Sequence, residues 1–313
     1  MIQINLIQVR APGTPGDYPE GTFEEGKMMQ RILVPLDGSE LSELALKTAR
    51  PLARHWGAEL ILVRVGDPFV GSLAGPIPTQ AVRWVDAEQA GARKYLDAMV
   101  ESLVGEGLKA KGHFLTGLAQ DQIVRAARSR KADLIVICSH GRSGIMRWLL
   151  GSVAENVLRR APCPVLLVRP GSPPLTEAGF RRVLVPLDGS PLASAVVEQV
   201  APFVAEDGAV SVLTATNLLP LDLYREAREE CVRDLEAELA RAFPKQDRYV
   251  FDGDAADVIL TFARQSDSDL VAMSTHGRSG FKRTMLGSVT ERVARHAACS
   301  VLAFPPASKA AKA

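Results

Sequence analysis

The segment ADLIVICSHGRSGIMRWLLGSVAENVLRRAPCPVLLV, residues 132–168, decides the fold because it returns as SDLVAMSTHGRSGFKRTMLGSVTERVARHAACSVLAF at residues 268–304. About half of the aligned positions are identical. An upstream segment, RILVPLDGS at 31–39, returns as RVLVPLDGS at 182–190. Similarity over such a long period is typical of a duplicated domain and not of the short units of a solenoid.

The two copies differ in the length of chain between these segments, which is 15 residues longer in the first copy. We expect the extra residues to form a long loop in the Pro- and Gly-rich stretch GDPFVGSLAGPIPTQ at 66–80. A chain of 313 residues is long enough for two domains. The predicted segments are a flexible leader at 1–30, a first domain at 31–170, a linker at 171–180, a second domain at 181–306 and a tail at 307–313.

Composition excludes several classes of protein. The 37 Lys and Arg residues nearly balance the 36 Asp and Glu residues, so the net charge of +1 argues against bulk binding to nucleic acid or to an anionic membrane. Apolar residues make up 47% and charged residues 23%, the profile of a globular chain. Aromatic residues, at 5%, are too few for a series of base-stacking platforms.

The sequence contains no apolar run near the roughly 18 residues that indicate a membrane span, and its N-terminus lacks the pattern of a secretory signal. Its four cysteines form no CxxC pair and have no short spacing to histidines. This pattern favours neither a disulfide framework nor a structural zinc site, and it fits a reducing compartment. We therefore expect a cytoplasmic protein without nucleic-acid or membrane partners.

Apolar strands alternate with amphipathic helices in both copies. Gly57 ends the first predicted helix, and the long helix of the second copy falls near 222–242. Strands that are solidly apolar predict parallel sheets covered on both faces, and right-handed crossovers predict a doubly wound, Rossmann-like α/β fold. We expect two tandem domains, each with five strands in the order 3-2-1-4-5. In the first copy the predicted strands are 31–36, 59–65, 109–115, 133–138 and 165–169, and the helices are 41–56, 85–104, 119–130 and 151–160.

The best-repeated residues follow the first and fourth strands, where a doubly wound sheet places its ligand crevice. Proline has no amide hydrogen to donate to a neighbouring strand. Pro35 is tolerated there because the strand is ending and no longer needs that hydrogen bond. Asp37 is either the N-cap of the next helix or an acceptor facing a ligand. Both hold if Ser39 is the cap. The corresponding residues of the second copy are Pro186, Asp188 and Ser190.

A glycine-rich segment follows the fourth strand, with GRSG at 141–144 and Gly151-Ser152 at the start of a helix. Free amides and the helix dipole favour phosphate at such a place, although ordinary turns and caps use the same residues. The sequence lacks GxxxxGK[ST] and GxGxxG, which argues against the common phosphate loop and the ordinary dinucleotide fold.

At these residues both halves resemble the universal stress protein family in its tandem two-domain form. Nucleotide-binding members of that family carry G-x2-G-x9-G-[S/T] after the fourth strand. Gly141 and Gly151-Ser152 fit this pattern, but Cys138 stands where its first glycine is expected. If this position needed a positive φ, a residue other than glycine there would lower the affinity for ATP. The second copy has Ser274, Gly277, Gly287 and Ser288 at the corresponding positions.

The resemblance implies a stress-response protein that binds ATP in each domain, with ADP or AMP as alternatives, and with magnesium for which no protein ligands are identified. The carboxylate after the first strand would contact adenine, and the residues after the fourth strand would hold ribose and phosphates. The implied site residues of the first copy are Pro35, Asp37, Val65, Ile137, Cys138, Gly141, Arg142, Gly151, Ser152 and Val153. Those of the second copy are Pro186, Asp188, Thr216, Met273, Ser274, Gly277, Arg278, Gly287, Ser288 and Val289.

The last strands, at 165–168 and 301–304, are exposed apolar edges that need a partner. The resemblance implies that they pair antiparallel between the two copies as a pseudo-dimer, that two chains form a homodimer, and that ATP changes binding to a protein partner. Two other functions remain open. One is a nucleotide-independent interaction module of the same fold. The other is a slow ATP hydrolase, although adjacent Ser139 and His140 do not by themselves form a nucleophile–base pair.

Overall fold

The computed structural model describes residues 29–66, 79–139, 150–172, 175, 179–216, 225–276 and 286–306. The chain forms two compact units, one over 28–170 and the other over 171–306. Within the described residues, no helix is both long and apolar enough to cross a membrane.

The first unit alternates strands and helices along the chain, and its parallel strands lie in the order β3-β2-β1-β4-β5. The predicted fold and strand order are therefore confirmed. Its elements are β1 (Arg31–Pro35), α1 (Glu40–Trp56), β2 (Glu59–Gly66), α2 (Thr79–Gly105), β3 (Lys109–Thr116), α3 (Ala119–Ser129), β4 (Leu134–Cys138), α4 (Ser152–Arg160) and β5 (Val165–Val168).

The second unit repeats this arrangement, with parallel strands in the order β8-β7-β6-β9-β10. Its elements are β6 (Phe180–Leu187), α5 (Pro191–Gln199), a 3-10 turn (Ala201–Phe203), β7 (Val204–Thr216), α6 (Arg225–Ala242), β8 (Asp247–Asp252), α7 (Ala255–Gln265), β9 (Leu270–Ser274), α8 (Ser288–His296) and β10 (Ser300–Phe304).

Helix α1 shows why these residues fold as they do. Ser39 caps its N-terminus by accepting a hydrogen bond from the Ser42 amide, and Gly57 ends it in the left-handed conformation at φ 64°. Between these ends, residues such as Ala45, Ala49 and Leu52 recur at helical spacing and are buried. The predicted stop at Gly57 is confirmed.

The amino ends of the central strands are held by the same contact in each unit. The carboxylate of Asp133 accepts hydrogen bonds from the amides of Gln30 and Arg31 at 3.0 Å. Asp269 accepts from the amides of Arg181 and Arg182 at 2.8 and 3.0 Å. These contacts fix β1 beside β4, and β6 beside β9, so the carboxyl ends of each pair are neighbours.

The extra residues of the first copy are not all in a loop. Helix α2 has 27 residues whereas its copy α6 has 18, so part of the insertion lengthens this helix. Of the residues predicted as loop, Gly66 ends β2, and Thr79 and Gln80 are helical. The rest of the predicted loop, 67–78, lies outside the described residues, as do the leader up to residue 28, much of the linker, and the tail.

Candidate functional site

A cleft of about 370 Å³ opens at the carboxyl ends of β1, β2 and β4 in the first unit, where the winding of the sheet reverses. Helices α3 and α4 complete its walls, and its lining is mainly apolar. The cleft is lined by Pro35, Leu36, Asp37, Ser42, Val63, Val65, Ala119, Ile123, Ile137, Cys138, Ser139, Gly151, Ser152, Val153 and Ala154.

The structure brings together at this cleft all the candidate residues of the first copy that it describes. They come from three strand ends and one helix start: Pro35, Asp37, Val65, Ile137, Cys138, Gly151, Ser152 and Val153. The remaining candidates of the two motifs lie outside the described residues: Gly141, Arg142, Gly277 and Arg278.

Sequence reasoning missed the contribution of helix α3. Ala119 and Ile123 lie one turn apart at its start and line the cleft opposite the β2 end. Their spacing of four residues after a strand was visible in the sequence, but only packing of α3 over β2 turns this face toward the cleft. Val63 was detectable more simply, because residues two apart in a strand share a face with Val65.

Asp37 lies in a turn that precedes helix α1. Its Oδ1 accepts hydrogen bonds from the Ser39 amide at 2.9 Å and from the Ser39 hydroxyl at 2.6 Å. Ser39 in turn accepts from the Ser42 amide at 3.2 Å. The helix cap is therefore Ser39, and Asp37 is not the N-cap. Its carboxylate borders the cleft, so a structural and a ligand-facing function are compatible.

The N-terminus of α4 lies at the cleft without a side-chain cap. Its first intrahelical hydrogen bond joins the Glu155 amide to the Gly151 carbonyl at 2.9 Å. The amides of Ser152, Val153 and Ala154 precede that bond and have no intrahelical acceptor. This is the arrangement of an anion site at a helix start.

The Gly151 amide is not one of these open amides. It donates to the Ser139 carbonyl at 2.8 Å, which ties α4 to the end of β4. Gly151 has φ −63°, so its function is not conformational freedom. A Cβ added there would lie 3.1 Å from the Ser139 carbonyl oxygen, so the close approach of these two backbone segments is what favours glycine.

Cys138 and Ser274, which replace the first glycine of the family pattern, have negative φ. Cys138 is the last residue of β4 and pairs with Val168, and Ser274 is the last of β9 and pairs with Phe304. Extended backbone accepts any side chain, so this departure from the pattern does not strain the chain.

A packed cluster supports the Asp37 turn from the face opposite the cleft. The Arg64 guanidinium lies 5.1 Å from the centroid of the Tyr95 ring, and the Tyr95 hydroxyl donates to Glu43 at 2.8 Å. Burial, and secondarily the Glu43 carboxylate, raises the pKa of the Tyr95 phenol. Gly38 beside it has φ 82°, a left-handed conformation that favours glycine.

The second unit repeats the backbone of this site. Asp188 Oδ1 accepts from the Ser190 amide at 2.9 Å, and Ser190 caps α5. The Gly287 amide donates to the Thr275 carbonyl at 2.9 Å, and α8 also begins without a side-chain cap. The candidate residues Pro186, Asp188, Met273, Ser274, Gly287, Ser288 and Val289 stand at the corresponding strand ends and helix start. Thr216 pairs with Asp252 as Gly66 pairs with Thr116, so the counterpart of Val65 is Ala215 and not, as expected, Thr216.

His276 follows β9 in the second unit. Its Nδ1 lies 2.9 Å from the Thr275 hydroxyl, whereas its Nε2 is buried without a hydrogen-bond partner among the described residues. Burial lowers the pKa of His276. The corresponding His140 lies outside the described residues. Within the part of the chain that the structure describes, no group of three His, Cys, Asp or Glu side chains could hold a metal ion.

Comparison with known proteins agrees with this architecture. A universal stress protein from Mycolicibacterium smegmatis is 28% identical over 293 residues, which cover 88% of this chain and 97% of that protein. Universal stress protein MJ0531 of Methanocaldococcus jannaschii is 38% identical over 144 residues, 45% of this chain and 83% of that protein.

Among solved structures, a universal stress protein from Archaeoglobus fulgidus superposes with a TM-score of 0.65 at 21% identity, covering 88% of this chain and 98% of that one, which shows the same fold. The sequence pattern of the Universal stress protein family matches twice, at residues 28–169 and 179–305. The chain therefore belongs to the universal stress protein family, in its tandem two-domain form.

Proposed function

We propose that the chain is a regulatory stress-response protein that binds an adenine nucleotide, ATP, at the carboxyl ends of its central strands. The observation that carries this proposal is the N-terminus of α4: Ser152, Val153 and Ala154 line a mainly apolar cleft, and their amides have no acceptor among the described residues. Open amides bind an anion, and apolar walls bind a flat base. A nucleotide supplies both groups in one molecule.

The apolar half of the cleft suits the adenine ring. Val63, Val65 and Ile137 come from neighbouring strands, and Ile123 closes over them from α3. The cavity volume of about 370 Å³ is within the range of small-molecule pockets. In this arrangement the base lies between the end of β2 and α3.

Asp37 supplies the polar contact that orients the ligand. A carboxylate accepts hydrogen bonds on both oxygens, so one can hold the Ser39 turn while the other accepts from an amino group or a hydroxyl. Magnesium, where present, would be held by the phosphates themselves, since the described residues offer no acidic cluster for it.

Isothermal titration with ATP tests the proposal, using the Ser152→Asp variant. Ser152 is exposed at the first position of α4, where an added carboxylate suits the helix dipole and leaves the fold intact. The same charge repels a phosphate, so we expect affinity to fall at least about tenfold, which is about 1.4 kcal/mol.

The small molecules released from purified, denatured protein provide a second measurement, because they identify which adenine nucleotide the protein retains. A folded protein that binds no ATP at millimolar concentration would contradict the proposal and favour the nucleotide-independent interaction module. Phosphate release that exceeds the Ser152→Asp control would favour the slow hydrolase.

A further inference from the structure

We infer that the two nucleotide sites are unequal, and that the first unit holds the tight site whereas the second binds ATP much more weakly. The inference rests on the proposed function and states which of the two duplicated sites binds the nucleotide tightly. Its basis is a comparison of the side chains that the duplication places at corresponding positions.

The backbone is not the source of the difference. The Asp37 and Asp188 turns accept the same amide hydrogen bond at 2.9 Å. Gly151 and Gly287 donate to the corresponding carbonyls at 2.8 and 2.9 Å. Both following helices start without a side-chain cap. Within the described parts of the two sites, the difference therefore lies in the side chains.

The second unit replaces part of the lining of the cleft with hydroxyl groups. Cys138 and Ala154 line the first cleft, whereas Ser274 and Thr290 stand at the corresponding positions. A hydroxyl there presents a polar group where the first unit offers the ligand an apolar or thiol contact. The counterparts of Val63 and Val65 are the apolar Leu213 and Ala215, so the difference lies at the end of β9 and in the first turn of α8.

These hydroxyls are bonded within the protein. Thr290 Oγ1 donates to the Ser274 carbonyl at 2.9 Å, and Ser274 Oγ donates to the His276 carbonyl at 2.7 Å. The larger Thr290 side chain thus ties the first turn of α8 to the end of β9, at the place where Ala154 lines the first cleft. A ligand that entered there would have to displace these contacts.

The second unit also carries more negative charge beside the site. Asp252 Oδ1 accepts a hydrogen bond from Thr216 Oγ1 at 3.2 Å, and Thr216 ends β7, the counterpart of the strand β2 whose Val63 and Val65 line the first cleft. Thr116 stands in place of Asp252 in the first unit. A carboxylate this close to a polyphosphate opposes its binding.

The start of the helix after the third strand of each unit also differs, again in favour of tighter phosphate binding by the first unit. Helix α3 begins at Leu118 without a side-chain cap, next to Ala119 of the cleft. Its copy α7 is capped by Asp254, which accepts from the Asp257 amide at 3.0 Å. Arg292 forms ion pairs with both carboxylates, at 2.7 and 2.6 Å. The cap places further negative charge at the helix start, and the cation beside it is already paired.

The test is isothermal titration of the full chain with ATP, comparing matched variants of the two sites. We expect one tight site per chain, with the other at least about tenfold weaker. Ala154→Thr, which gives the first cleft the second unit's side chain, should remove the tight phase, whereas Thr290→Ala should leave it unchanged. Ser152→Asp should also remove the tight phase, while Ser288→Asp should remove only the weak one.

Each outcome decides between the alternatives. Two sites of equal affinity in the wild type, or loss of the tight phase in Ser288→Asp, would overturn the inference and leave the proposed function standing. A wild type that binds no ATP at either site would overturn both. Circular dichroism of every variant confirms the fold, and Ser152→Asp decides the assignment even if Ala154→Thr fails to fold.

Discussion

At the scale of single residues, Asp37 combines a structural and a ligand-facing position. Its Oδ1 forms the turn with Ser39, which caps α1, and its side chain borders the cleft. The turn needs an acceptor oxygen but not a charge. The two functions can therefore be separated by replacing the carboxylate with an amide, which keeps an acceptor and removes the charge.

We predict that Asp37→Asn leaves the stability of the first unit within about 0.5 kcal/mol of the wild type and lowers ATP affinity. Asp37→Ala should lose the turn as well, at a cost of about 1 kcal/mol in the free energy of unfolding. Urea unfolding followed by tryptophan fluorescence measures the stabilities. Equal destabilisation by both substitutions would show that the charge itself holds the turn. Asp188→Asn is the matched variant of the second unit.

His276 predicts a pH dependence of stability. Burial lowers its pKa in the folded state below the unfolded value of about 6.5, so the unfolded chain takes up the proton first. The free energy of unfolding should therefore decrease as the pH falls through 6.5 toward the folded pKa, and level off below that value. His113 contributes in the same direction, through burial and then the nearby Arg130 and Lys111.

Urea unfolding of wild type and His276→Gln at a series of pH values tests this dependence. Glutamine does not titrate, so the variant should lose stability less steeply in acid. An identical slope in the variant would assign the acid sensitivity to other groups, and His113→Gln would then be the variant to compare.

At the scale of elements, helix starts fall into two kinds. Ser39 and Ser190 cap α1 and α5 with their side chains, whereas α4 and α8 begin at Gly151 and Gly287 with bare amides. A missing cap costs on the order of 1 kcal/mol, which makes its absence at both repeated sites informative. The starts of α4 and α8 lie at the proposed phosphate positions, and α3, which also lacks a side-chain cap, begins beside the first cleft.

The C-terminus of α1 provides a prediction about an element end. Gly57 has φ 64°, and an added Cβ would meet nothing within 4 Å, so the cost of a side chain there is purely conformational. Gly57→Ala should lower the free energy of unfolding by about 1 kcal/mol. Gly57→Asn should cost less, because asparagine tolerates the left-handed region better. Similar losses in the two variants would contradict this explanation.

At the scale of the whole molecule, tryptophan fluorescence is a selective probe of one of the two units. All three tryptophans, Trp56, Trp84 and Trp148, belong to the first copy. Tryptophan fluorescence therefore reports unfolding of the first unit, whereas circular dichroism reports both. ATP at 100 times its dissociation constant should raise the free energy of unfolding reported by fluorescence by about 2.7 kcal/mol.

The Ser152→Asp variant is the control for this measurement and should show no such increase at the same ATP concentration. An equal increase in wild type and variant would indicate that ATP stabilises the chain from another place. Antiparallel pairing of the last strands and assembly of two chains into a homodimer both stay predictions. Sedimentation equilibrium checks the second, and a monomeric mass would contradict it.

The sequence by itself determined the duplication, the strand order and the strand ends at which candidate residues gather. Repeats, hydrophobic periodicity and the handedness of crossovers are properties of the chain that need no coordinates. Ser39 and Gly57 were likewise predictable as the ends of α1, since capping depends on residues a few positions apart.

Only the tertiary structure decided which backbone groups remain open at the site. Three features depend on contacts between separate elements. The Gly151 amide donates to the Ser139 carbonyl, Ile123 of α3 closes the cleft, and Thr290 bonds to the end of β9. Such contacts are set by how helices pack over the sheet. No local pattern in the sequence encodes them, because the same glycine and threonine are compatible with several partners until packing selects one.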